Sequence, residues 1–188
     1  SAFFAALSAS VLYFIIFKLI GQISPESQPR AKFLPALSAS LIFAFSNTFW
    51  SQAVMAEVYT LWIFVLCLSF LALVTWTQRK SEGLLYLFSF LYGVSIISHQ
   101  LSLFFAPGYI LLILLYEPKI VSRWRTLFIM FDFFVLGLLL YMYIPIRAMH
   151  DPLISWNKIH DFNSFFGYLL RRQYGEVKSN FNIGYVEQ

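Results

Sequence analysis

Ala53-Val-Met-Ala-Glu57-Val-Tyr-Thr-Leu-Trp-Ile-Phe-Val-Leu-Cys67-Leu-Ser-Phe-Leu-Ala-Leu-Val-Thr-Trp-Thr77 carries one charged side chain, Glu57, close to its start, and none after it. A helix that crosses a bilayer needs roughly 20 apolar residues, within about 17–25. Lipid offers no water to exposed peptide groups, so a run this long is a helix, whose backbone hydrogen bonds close within the segment. Five further runs approach the same length: Ala2–Ile20, Lys32–Asn47, Gly83–Ser98, Leu101–Tyr116 and Trp124–Arg147. Short polar breaks separate them. Gln22–Arg30 holds two prolines and two serines, Gln78–Glu82 carries Arg79 and Lys80, and Glu117–Arg123 carries Pro118. The fourth and fifth runs are shorter and read as a helical hairpin hinged at His99–Gln100. Together the runs predict an all-α polytopic membrane helix bundle of about six transmembrane helices over residues 1–147. An outward-facing juxtamembrane segment follows over 148–188.

The bulk composition agrees. Of 188 residues, 60% are hydrophobic and 12% charged, with a mean hydropathy of +0.71. Soluble domains run at about 45–50% apolar and about 25% charged. These values exclude a disordered chain, a disulfide-stapled secreted domain and a nucleic-acid binder. The net charge of +4 therefore reads as topology rather than as a surface for a polyanion. Lys18, Arg30, Lys32, Arg79, Lys80, Lys119, Arg123 and Arg125 all fall on one side of the alternating connections. The other side has no Lys or Arg before Arg147. The positive-inside rule assigns the first side to the cytoplasm. The chain start, the Ser51–Glu57 turn, the His99 turn and the tail from Ala148 then face outward. Cys67 lies within an apolar run, as a small core hydrophobe with no partner for a disulfide or a cysteine metal site. No Asn-x-Ser/Thr acceptor occurs.

Glu57, His99, Gln100, Arg147, His150, Asp151, Arg171 and Arg172 gather on the outward side. Loop ends are where polar residues go in any case, yet a carboxylate, an imidazole and guanidinium groups at one depth are what a membrane enzyme needs at its outer interface. Glu57 has no basic neighbour in sequence. Beside a helix start it gains from the dipole by about 0.3–1 kcal/mol; its alternative task is to hold an acceptor hydroxyl, a sugar hydroxyl or a metal ion. One acid near a turn does not make an ion site, so metal dependence stays open. His99 is either a hydrogen-bonded structural residue or a catalytic or phosphate-contacting one. Pro107-Gly108 is expected to bend or break the helix that follows. Asp132 lies about nine residues into the last run, ~13 Å deep at ~1.5 Å per residue, where an ion pair with Lys18 is the expectation and a proton relay the alternative. Pro145 is expected to stop regular helix where the chain meets water. Arg147 either snorkels to headgroups or holds a phosphate by a bidentate bond. From Asp161, Phe162, Phe165, Phe166, Leu169 and Leu170 repeat at i, i+3, i+4, i+7 and i+8. This predicts a C-terminal interfacial amphipathic helix that delivers Arg171, Arg172 and Tyr174 to the membrane surface.

The run Phe45-Ser-Asn-Thr-Phe-Trp-Ser-Gln-Ala-Val-Met-Ala-Glu-Val-Tyr59 resembles the most distinctive motif of a membrane glycosyltransferase family with a GT-C type fold. That family includes bacterial proteins of unassigned substrate and the eukaryotic transmembrane protein O-mannosyltransferases. Gly93 to His99, Tyr143-x-Pro-x-Arg147, Asp151-Pro152 with Trp156, and Arg172-Gln-Tyr-Gly175 follow in the family's order. The resemblance implies transfer of a sugar, mannose or a similar hexose, from a polyprenyl-phosphate-linked donor to a protein or glycan acceptor on the outer face. It implies Glu57 and His99 as catalytic-site residues, with Arg147, Asp151, Arg171, Arg172 and Tyr174 around the lipid phosphate. Membrane lipids are then partners, and the bacterial plasma membrane is the expected compartment, or the endoplasmic reticulum for a eukaryotic source. One departure stands against the match. GT-C enzymes generally carry an essential acid in the loop after their first membrane helix, and no Asp or Glu precedes Glu26 here. On the resemblance, the chain is expected to be a piece of a larger enzyme. A transporter or flippase of a lipid-linked solute would use the same polar residues, but no internal repeat relates the first three runs to the last three. A non-catalytic membrane partner is the third alternative.

Overall fold

The computed structural model describes residues 1–148 together with His150, Ser164, Phe165 and Gly167. Among these the chain is all-helical. The helices are α1 (Ala2–Ile23), α2 (Pro29–Ala44), α3 (Asn47–Val54), α4 (Tyr59–Arg79), α5 (Glu82–Ser98), α6 (Ala106–Tyr116), α7 (Trp124–Leu139) and α8 (Tyr143–Ala148). Tight 3-10 segments at Gln100–Phe105, Pro118–Ser122 and Leu140–Met142 join the later ones. The stretches Ala2–Ile23, Tyr59–Arg79 and Trp124–Ala148 are long and apolar enough to cross a membrane. A fourth is added if α2 and α3, bent by 60° at their junction, count as one span. Glu82–Ser98 and Gln100–Tyr116 are apolar but shorter.

Ser1–Leu140 forms one compact unit, and Tyr141 begins a second. Within the first, spatial order departs from chain order: neighbours run α2, α1, α4, α5, α7. The side-chain contacts give the directions. Near their starts, α1 and α4 meet through Phe4 and Phe64, with ring centroids 5.8 Å apart. Near their ends, Gln22 Nε2 donates to Thr77 Oγ1 at 2.7 Å. The two helices are therefore parallel. α5 and α7 are parallel as well, since Glu82 pairs with Arg123 at their starts. The core lies where α4, α5 and α6 meet, with Leu73, Trp76, Leu85, Phe88, Tyr92 and Tyr109 at its centre.

Small residues allow this packing. In lipid there is little hydrophobic drive between helices, so close van der Waals approach must hold them. Ser8, Ser69, Ser89 and Ser95 are buried, and each hydroxyl donates back to a carbonyl of its own helix, for example Ser8 Oγ to Phe4 O at 2.7 Å. Gly93 and Gly137 take this furthest. A Cβ on Gly93 would collide with the Phe134 carbonyl, and one on Gly137 with the Phe90 carbonyl. The backbones of α5 and α7 thus touch directly.

Several expectations need correction. The run from Ala53 is not one helix. Ser46 accepts a hydrogen bond from the Phe49 N–H at 3.4 Å and starts α3, α3 ends at Val54, and α4 starts only at Tyr59. A serine N-cap satisfies orphan N–H groups and so starts a helix inside an apolar run. Pro107 does not break a helix either. It sits in the first turn of α6, where its missing N–H costs nothing, and the irregular 3-10 segment lies before it. Pro145 falls inside α8, again in the first turn. Its effect appears one turn upstream, because the carbonyl four residues back loses its α-helical donor and Leu140–Met142 tightens to 3-10 geometry. Finally, Lys18 does not pair with Asp132. Its Nζ donates to Gln78 Oε1 at 3.1 Å on α4, and both α4 and α5 intervene in the packing order between α1 and α7. The hinge at His99 is observed: α5 ends at Ser98, and the chain returns so that Lys80 Nζ reaches the Tyr116 carbonyl at 2.8 Å.

Candidate functional site

Glu57 lies in the exposed connection between α3 and α4, two residues ahead of Tyr59. Ser1 Oγ donates to the Met55 carbonyl and ties this connection to the start of α1. Among the described residues the Glu57 carboxylate has neither an ion-pair nor a hydrogen-bond partner. Its position just before α4 places it in the field of that helix's free N–H groups.

His99 reaches the same end of α4 from α5. Its N–H caps α5 by donating to Ser95 O at 2.9 Å, and its carbonyl accepts from the Ser102 N–H at 3.0 Å. The ring is held on three sides. Trp62 lies 4.7 Å away between centroids and Tyr59 5.3 Å, while Nδ1 accepts from the Leu101 N–H at 3.2 Å. A neutral imidazole that accepts at Nδ1 carries its proton on Nε2. The geometry therefore presents His99 as a hydrogen-bond donor at Nε2 rather than as a base there.

Trp62 and Ser102 went unrecognised in the sequence. Trp62 Nε1–H donates to Ser102 Oγ at 2.7 Å, and Tyr92 O–H donates to the Ser102 carbonyl at 2.9 Å. Ser102 has no exposed surface. One residue thus joins α4, α5 and the 3-10 segment directly behind His99. The only available signal was a serine two residues after a His-Gln pair, a weak one.

The motif from Phe45 to Tyr59 has a second face. Phe45 and Trp50 stack at 5.5 Å. Together with Phe49 and the small α1 residues Ala2, Ala5 and Ala6 they line an apolar cavity of about 230 Å³. Its aromatic wall and Glu57 belong to the same short stretch of chain. Gln52 Oε1 and Thr60 Oγ1 in this region are buried with no hydrogen-bond partner among the described residues.

One further predicted site residue lies among those described. Arg147 is exposed on α8, in the second unit, and its carbonyl accepts from the His150 N–H at 3.2 Å. In that unit Tyr141 and Phe165 make an edge-to-face contact at 6.4 Å, and Ser164, Phe165 and Gly167 are helical. Asp151, Arg171, Arg172 and Tyr174, with most of the expected amphipathic helix, lie outside the described residues.

Residues 1–122 match the family described as Protein O-mannosyl-transferase TMEM260 N-terminal domain. No curated protein and no solved structure matches the chain.

Proposed function

Since the chain belongs to the protein O-mannosyl-transferase family of TMEM260 N-terminal domains, we propose that it serves glycosyl transfer from a polyprenyl-phosphate-linked mannose, or a similar hexose, to a protein hydroxyl. The observation that carries this reading is the family match over the segment that holds both Glu57 and His99 at the start of α4. A GT-C type fold of six membrane crossings fits the alternation of helix ends, with α5 and Gln100–Tyr116 as the two short crossings. The basic connections then face the cytoplasm, and the start of α4 faces outward.

In the proposed reaction the acceptor oxygen bonds to the anomeric carbon as the bond from that carbon to the lipid phosphate oxygen breaks. The acceptor proton passes to a carboxylate, and the lipid phosphate leaves as an anion. Glu57 orients the acceptor or a sugar hydroxyl. His99 donates from Nε2 to a phosphate or sugar oxygen, held in that tautomer by Leu101 and in that plane by Tyr59 and Trp62. Donors fixed before the charge develops stabilise the departing phosphate without reorganising. Arg147 supplies a fork suited to phosphate, and Asp151, Arg171, Arg172 and Tyr174 complete the phosphate and sugar contacts. The apolar cavity beside Phe45 and Trp50 offers the lipid of the donor a place to rest.

The test is donor-dependent mannosyl transfer in membranes containing the full-length protein. Glu57→Gln and Arg147→Ala are each expected to reduce transfer by about 100-fold, the scale of a misplaced reactant, with protein levels unchanged. Normal transfer in both variants would overturn the assignment.

A further inference from the structure

α7 presents two unlike faces. Thr126, Met130, Phe134 and Gly137 form a stripe at helical spacing toward α5: Thr126 and Gly137 are buried, and Met130 and Phe134 pack on the core. At 3.6 residues per turn, Asp132 projects almost diametrically opposite that stripe. Its neighbours there, Phe128, Phe131, Leu136 and Leu139, are 62, 60, 51 and 52% exposed. With Phe131, Leu136 and Leu139, Asp132 lines a notch of about 360 Å³. In the 18-residue apolar window of Trp124–Ala148 only 6% is buried, against 44% in that of Tyr59–Arg79.

A bare apolar face is what lipid accepts, but a carboxylate about 12 Å along such a helix is not. Asp132 is in no ion pair among the described residues, and three described cations are engaged elsewhere: Lys18 with Gln78, Lys80 with the Tyr116 carbonyl, and Arg123 with Glu82. Arg125 shares the Asp132 face, yet it sits two turns away, about 10 Å along the axis, and makes no ion pair with it. A second copy in the same orientation would set carboxylate against carboxylate at this depth.

We infer that the Asp132 face of α7 docks a transmembrane helix of a separate membrane protein, one that carries a lysine or arginine at mid-membrane depth. The carboxylate supplies register and selectivity, and the flanking Phe131, Leu136 and Leu139 supply contact area. This inference rests on α7 lying in the bilayer and not on the transferase reading, so transfer activity and docking are lost independently.

The test uses the full chain, labelled with a fluorescence donor, in phosphatidylcholine vesicles. The probes are two acceptor-labelled polyleucine helices of about 20 residues, one with a central lysine and one without. The lysine helix is expected to associate about tenfold more tightly than the plain one. Asp132→Asn should abolish the preference, and Asp132→Lys should transfer it to a helix with a central aspartate. Leu136→Trp keeps the carboxylate but fills the notch, and should weaken association with the lysine helix. Equal association of both helices, no association of either, or an unchanged preference in Asp132→Asn overturns the inference. So does Asp132-dependent energy transfer between two differently labelled copies of the chain, which would make a second copy the occupant.

Discussion

His99 owes its chemistry to residues that do not themselves look chemical. The Leu101 N–H fixes which nitrogen holds the proton, the Tyr59 and Trp62 rings fix the imidazole plane, and the Ser102 hydroxyl fixes Trp62. Ser102→Ala leaves the Trp62 indole N–H without its acceptor, which costs about 1–3 kcal/mol. The expected signature is a lower unfolding midpoint in detergent, together with shifted or broadened His99 ring resonances as the imidazole loses its fixed plane. If the His99 ring resonances are unchanged in Ser102→Ala, the Trp62 bracket is not what orients the ring. Glu57 and His99 were legible in the sequence because a charge or an imidazole stands out in an apolar run. Trp62 and Ser102 were not, because both residue types sit inside ordinary membrane helices for ordinary packing reasons. Only the fold, which brings α4 against the 3-10 segment, gives them a role.

At the scale of elements, existence and type were readable and boundaries were not. Apolar length identified every long helix. The breaks were set by local backbone chemistry instead: a serine cap that begins α3, and prolines tolerated in first turns that shift irregularity upstream. Of the six predicted runs, the two that meet at His99, Glu82–Ser98 and Gln100–Tyr116, are too short for full spanning length, which leaves three or four stretches of that length. The α5–α7 contact is the element most open to a direct test. Gly137→Ala would place a methyl against the Phe90 carbonyl, with the Val94 nitrogen at 3.0 Å and Gly93 Cα at 3.1 Å. Backbone atoms cannot turn aside as a side chain can, so the helices must separate at a cost of about 1–3 kcal/mol. Thermal unfolding of the purified chain should show this, while Gly108→Ala, where a Cβ meets nothing within 4 Å, should be close to neutral.

At the scale of the molecule, the interhelical polar contacts described within Ser1–Leu140 sort into two ends. Lys18 with Gln78, Gln22 with Thr77, Lys80 with Tyr116 and Glu82 with Arg123 lie at one; Ser1 with Met55 and Trp62 with Ser102 lie at the other. In a Cys67→Ala background, Glu57→Cys and Lys119→Cys should react with a membrane-impermeant maleimide from opposite sides of sealed vesicles. Reaction from the same side would remove the proposed crossings between them.

The unlike orders of chain and space carry a consequence for how the bundle is built. α4 and α5 are neighbours in both, joined by a tight connection at Lys80. α1 can meet α4 only across the excursion through α2 and α3, and α7 can meet α5 only across the return through α6. Short loops close at the smallest entropic cost, so the central hairpin is the natural first assembly, with one docking event on each flank. Among the described residues neither flank packs substantially on the other, and damage on one should not be felt on the other. Ile15→Ala on the α1 side and Gly137→Ala on the α7 side should therefore sum to within about 0.5 kcal/mol in the double variant. Because α1 is synthesised before α4, it must then be held in waiting, unpaired with its final parallel neighbour until α4 has been made.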